Sequence, residues 1–315
     1  MAGADAIDVG SGHGTHCAGS AAGNCAAPSA QNINFRGVAY AAKLAIYDGG
    51  SATGALSFPS NLQLRMFPPG YKAGARVFSN SWGSNQYSYT FMDAEFDGFM
   101  FLQPDALVLV AAGNTGANGF RTVFSPSLSE NALCVGASQS LRVSTHRVGN
   151  VAQFSARGPS PDGRIKPDLV APGMMVTSAN ASRGSGSYTC TVVSKSGTSM
   201  ATAVVAGAVA LLRQKNFFLE GRYPSGVPTA TDALMPTGAL LKALLINSAV
   251  PMSRYMFANG SFVTLGLPPD NYQGFGRLQL DTVLHLAPNN PSAYLSATPC
   301  PWRRKKCIPT SSLYR

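Results

Sequence analysis

Gly197-Thr198-Ser199-Met200-Ala201-Thr202-Ala203-Val204-Val205-Ala206-Gly207 opens a stretch rich in Ala, Val and Leu that runs to Gln214. Such a run, apolar on nearly every face, reads as a buried helix with a glycine and two hydroxyl residues at its mouth. A serine there has two readings. It can cap the helix, or its hydroxyl can be a nucleophile if an imidazole takes the proton during attack. Far upstream, His13-Gly14-Thr15-His16 begins a second small-residue helical segment, 13–22, and supplies that imidazole.

Between the two lies an apolar run, 106–110, followed by Ala111-Ala112-Gly113-Asn114-Thr115-Gly116. This reads as a strand ending in a carboxamide that can donate to an oxyanion, although the same residues also suit a turn. Further strand candidates are residues 43–47, 76–81 and 132–135, with helical patterns at 91–101 and 238–249. Strands alternating with helices imply crossover connections and hence an α/β, doubly wound, mainly parallel sheet, with chemistry at the carboxyl ends of its strands.

These three motifs, in this order, resemble the subtilisin-like serine proteases, the subtilase family. So do Phe154-Ser155-Ala156-Arg157-Gly158-Pro159, Asp162-Gly163-Arg164-Ile165-Lys166-Pro167-Asp168-Leu169-Val170-Ala171-Pro172-Gly173, Ser79-Asn80-Ser81-Trp82-Gly83 and Gly274-Phe275-Gly276-Arg277-Leu278. The resemblance covers roughly residues 8–288, read as a catalytic domain within 1–288, and leaves 289–315 as a basic tail without family pattern. It implies endoproteolysis of polypeptides through an acyl-enzyme, with Ser199 as nucleophile, His13 as base and Asn114 as oxyanion donor. It also makes Ser81-Trp82-Gly83 and Ala111-Ala112-Gly113 the walls of the primary specificity pocket, the first able to pair with an extended substrate. Without an identifiable acidic floor, an apolar or broad preference is expected. Trp82 serves equally as a core aromatic. Cys17 resembles the thiol of the family branch typified by proteinase K, which lies under the catalytic histidine; a small buried hydrophobe is the plainer reading.

In that family the order is aspartate, histidine, serine. Asp5 and Asp8 precede His13 by eight and five residues, too few for a strand and its return. Asp8 instead resembles the acidic residue that precedes the histidine motif, so the chain is expected to begin after the family's first strand and its catalytic aspartate. The runner-up function is accordingly a catalytically dead or fragmentary relative that at most binds peptides in the cleft.

Composition narrows the remaining classes. Charged residues make up 12% of the 315, with 33 glycines, against roughly 25% charged in an average domain; this suits a compact hydrolase. Of the net charge of +10, five cations fall in the last thirteen positions, and without them the excess is +5 with no aromatic interleaving, which argues against nucleic acid as a partner. No segment reaches the ~18 apolar residues of a membrane span, and no signal peptide is visible; a secreted or secretory-pathway location is what the resemblance implies. Six cysteines without a CxxC pair suggest neither zinc nor a disulfide scaffold, with Cys25 and Cys190 the candidates for a bridge. His13 and His16 have the spacing of helical metal ligands, but His146 and His285 lack a ligand-like context, so no metal and no cofactor is expected. The resemblance leaves a structural calcium open.

Overall fold

The computed structural model describes residues 8, 11–24, 35–50, 55–141, 147–181, 191–214, 235–257 and 259–284. Its centre is β2 (Leu107–Ala111), in which Leu107, Val108, Leu109 and Val110 are all fully buried. Successive strand residues point to opposite faces, so burial of all four means that both faces of the sheet are covered, as in parallel sheets.

On one side of β2 lies β1 (Val77–Asn80), in parallel register from Val77 opposite Leu107 to Asn80 opposite Val110. On the other lies β3 (Leu133–Ser138), followed by parallel β5 (Leu169–Pro172). The sheet continues from β3 through antiparallel β4 (Asn150–Val151), then β8 (Arg254–Met256) and β9 (Phe262–Thr264). A separate antiparallel hairpin, β6 (Val176–Ala179) and β7 (Val192–Lys195), leads into α5. The family-like α/β, mainly parallel design is thus present.

The helices are α1 (His13–Ala22), α2 (Leu62–Arg65), α3 (Phe67–Lys72), α4 (Phe91–Leu102), α5 (Thr198–Arg213) and α6 (Gly238–Asn247). α4 starts at a capping box: the Thr90 hydroxyl accepts from the Met92 amide, and Asp93 accepts from the Thr90 amide at 2.8 Å. α5 packs against β1, β2, β3 and β5, which accounts for its unbroken apolar composition. It also approaches α1 closely: a Cβ on Gly207 would stand 2.7 Å from the Ala21 carbonyl oxygen.

The strand expected at 43–47 does not form. Among the described residues no neighbour gives 43–47 a ladder, and Leu44 and Ile46 are exposed. β1, among the described residues, pairs only with β2. Among the described residues no helix is long and apolar enough to cross a membrane. The tail, 289–315, together with Cys25, Cys190, His146 and His285, lies outside the described residues.

Candidate active site

Parallel pairing sets the site's geography. Because Asn80 is level with Val110, the residues that leave β1 and β2, Ser81 onward and Ala112 onward, emerge together at the carboxyl edge. Gly113 then turns the chain at φ +110°, a conformation that favours glycine. The turn aims Asn114 at the mouth of α5.

A relay of hydrogen bonds fixes the carboxamide. The Gly113 amide donates to the Thr198 hydroxyl oxygen at 3.1 Å, and that hydroxyl donates to Asn114 Oδ1 at 3.2 Å. The Thr198 amide also donates to Oδ1, at 2.9 Å. A backbone N–H can only donate, so the atom facing it must be the amide oxygen, and Nδ2 is turned away from it, free to donate. Thr198 is fully buried, which keeps the relay from competing water.

Ser199 follows at the second position of α5, 7% exposed. Its amide belongs to the first turn, where backbone donors lack intrahelical acceptors. Its carbonyl oxygen accepts from the Ser81 hydroxyl at 3.2 Å and from the Cys17 thiol at 3.8 Å. Through that thiol α1 reaches the serine turn, since Cys17 Sγ also lies 4.0 Å from His13 Nε2. Three of the expected residues, His13, Ser199 and Asn114, are therefore drawn to one end of the sheet. Among the described residues, however, no hydrogen bond joins His13 to Ser199, and no carboxylate accepts from the imidazole. Asp8 accepts from the Thr15 amide at 3.0 Å and its hydroxyl at 2.8 Å, serving the first turn of α1 rather than His13.

Burial, then the nearby Lys195 cation, holds the His13 pKa below its ordinary value, with Asp8 pulling the other way. Lys195 is tied to the same place: its Nζ donates to the Ser11 carbonyl at 2.8 Å, two residues before His13. His16 points elsewhere. Fully buried, it donates through Nε2, shared between the Val176 and Val193 carbonyls at 3.1 Å each, and so pins α1 to the β6–β7 hairpin. That orientation leaves it a structural residue with no shared ligand geometry with His13. Burial pushes the Cys17 thiol up to about 11, so it is neutral at physiological pH and no rival to Ser199 as a nucleophile. Cys17 and Cys134 are both free thiols.

The two expected pocket walls lie at the strand ends with part of their surface already engaged. Trp82 stacks on Phe58 at 4.0 Å and meets Phe96 edge-on at 5.8 Å, so it belongs largely to the core. Gly83 lies against the Ser125 carbonyl, which a Cβ would approach to 3.2 Å. Ala112 is buried with its amide bonded to the Val135 carbonyl, and the Ala111 carbonyl accepts from Ser127. Thr198 and Lys195 join the site without a signal in the sequence that marks their part in it. Thr198 stood within the quoted motif, but its hydroxyl relay depends on the Gly113 turn, which spacing alone does not reveal.

The family model described as the subtilase family matches residues 2–276 of the chain. Among curated proteins, the chain is 29% identical to "Serine protease/ABC transporter B family protein tagB" of Dictyostelium discoideum over 91% of its own length and 19% of that protein's. It is 33% identical to "Serine protease AprX" of Bacillus subtilis (strain 168), over 65% of the chain and 49% of the relative. It therefore spans about a fifth of the first relative and about half of the second. Among solved structures, Sphericase superposes with a TM-score of 0.60 at 24% identity, covering 85% of this chain and 77% of that one, a likeness of fold.

Proposed function

Because the chain belongs to the subtilase family, a family of serine-type peptidases, we propose that it is a serine endopeptidase working through an acyl-enzyme. Ser199 Oγ attacks the scissile carbonyl carbon while His13 takes the hydroxyl proton. The carbonyl oxygen, now negative, accepts from Asn114 Nδ2 and the Ser199 amide. As the tetrahedral species collapses, His13 returns the proton to the departing amine, and water repeats the sequence to release the acid.

The observation that carries this reading is the fixed Asn114 carboxamide. Oxyanion stabilisation works when donors stand in place before charge develops, and the Gly113–Thr198–Asn114 relay supplies that preorganisation. The backbone of residues 81–83 would pair with an extended substrate, and small residues at 111–113 suit an apolar or broad side-chain preference. A secretory location is proposed on family grounds.

A second reading has its own support. With no carboxylate or serine hydrogen-bonded to His13 among the described residues, the cleft could bind peptides without turning them over. Hydrolysis of a fluorogenic peptide series by the wild type and by Ser199→Ala separates the two. Turnover lost in Ser199→Ala supports the protease, equal turnover in both refutes Ser199 as nucleophile, and saturable peptide binding with no turnover in either establishes the binding module.

A further inference from the structure

Arg157 is 4% exposed, yet among the described residues no carboxylate pairs with it. An isolated buried cation is costly unless it is answered locally. Here three aromatic rings answer it: the guanidinium carbon lies 4.9 Å from the centroid of Phe120, 4.6 Å from Tyr255 and 5.2 Å from Tyr272. The rings support one another, Tyr272 meeting Phe120 and Tyr255 at 5.0 Å each. Within this cage, among the described residues, the guanidinium bonds a single acceptor. Nε and one Nη both donate to the Gly116 carbonyl, at 3.1 and 2.7 Å.

Gly116 lies two residues after Asn114. Its amide is held by the Phe154 carbonyl at 2.9 Å, while the Gly113 carbonyl accepts from the Ala156 amide at 3.0 Å. The oxyanion loop is thus laced to residues 154–157 on both sides of Asn114, and the Arg157 fork closes the lacing. We propose that Arg157 is a positioning residue for the oxyanion donor: it fixes the Gly116 carbonyl and through it the direction of Asn114 Nδ2. This deepens the proposed protease reading and rests on it. A planar fork gripped by rings holds its acceptor in direction as well as distance, which a lysine cannot do.

The test is a mutant cycle on the full chain, with kcat and KM measured on a fluorogenic peptide beside thermal melts. Misplacing a catalytic group by an ångström costs up to about 10²-fold in rate, so Arg157→Met should lower kcat by about 10- to 100-fold with KM changed less than about twofold. In an Asn114→Ala background the same substitution should lower kcat by less than about threefold, because the donor it positions is gone. Arg157→Lys keeps the cation in the cage and serves if Arg157→Met loses its cooperative melt; it should show the same dependence on Asn114. Equal losses in the two backgrounds, or a loss carried by KM, would overturn the positioning role while leaving the protease reading intact. Should Asn114→Ala itself leave kcat unchanged, the oxyanion assignment fails, and the inference fails with it.

Discussion

The two halves of the site are held by different means. The Asn114 half grows out of β2, buried from Leu107 to Val110, and the backbone that carries it is laced on both sides: Gly113 to Thr198, Thr198 to Asn114 Oδ1, Gly116 to Phe154 and Arg157. The His13 half sits at the start of α1, anchored by His16 to the hairpin and by Lys195 to Ser11, and reaches the Ser199 carbonyl through the Cys17 thiol. One half is an extension of the sheet, fixed before any substrate arrives. The other is a helix docked by side chains. A backbone-laced donor loses function in large steps when its lacing is cut, whereas a docked base responds in graded fashion through its charge environment.

Cutting the laced half should give the largest effect. Asn114→Ala removes the donor, and in subtilisin itself loss of that group lowers kcat by about 10²- to 10³-fold; a comparable drop with little change in KM is expected here, read from steady-state kinetics. Thr198→Val, nearly isosteric, removes the hydroxyl relay but keeps the amide bond to Oδ1. Two hydrogen bonds go with the hydroxyl, but only the one to Oδ1 bears directly on the carboxamide; a neutral hydrogen bond contributes about 0.5–1.5 kcal/mol, so kcat should fall only about 2- to 10-fold, with the lost Gly113 bond read in the thermal melt. A loss as large as that of Asn114→Ala would mean that the hydroxyl, not the amide, does the orienting.

The docked half should answer in pH. His13 must be neutral to act as base, and its depressed pKa keeps it neutral to lower pH than an ordinary histidine. Replacing Lys195 by Met removes a cation that lowers this pKa, so the acidic limb of kcat/KM should move to higher pH. High salt should move the wild-type limb the same way by screening the charge. An unmoved limb would detach Lys195 from the base. The smallest change is expected at Cys17: Cys17→Ala should keep activity within about threefold but lose sensitivity to a bulky mercurial, which in the wild type would displace the imidazole 4.0 Å away. Equal inhibition of both proteins would remove the thiol from this account.

Much of this was legible in the sequence because buried parallel strands and small-residue helices leave strong local patterns. Residues 107–111 are apolar on both faces, and α5 is apolar all round, so their runs announced them. The same rule misled at 43–47, where an apolar run predicts extension but only a neighbouring strand can make a ladder. The β6–β7 hairpin, with Thr177 bonded to Ser194 across it, carries too mixed a pattern to read. His13, Ser199 and Asn114 stood in motifs. Arg157 did not declare its task, because Phe120, Tyr255 and Tyr272 are brought around it only by the fold.

The joining of the two halves is tested most directly by fluorophosphonate labelling, followed as a rate against pH in the wild type and in His13→Ala, with the modified residue located by peptide mapping. Label on Ser199 alone is expected, with a rate that falls in acid at a midpoint below that of an ordinary histidine and drops by about 10³-fold or more without the imidazole. Label on another residue, or a Ser199 rate indifferent to His13→Ala, would show that the base and the nucleophile do not work as one site.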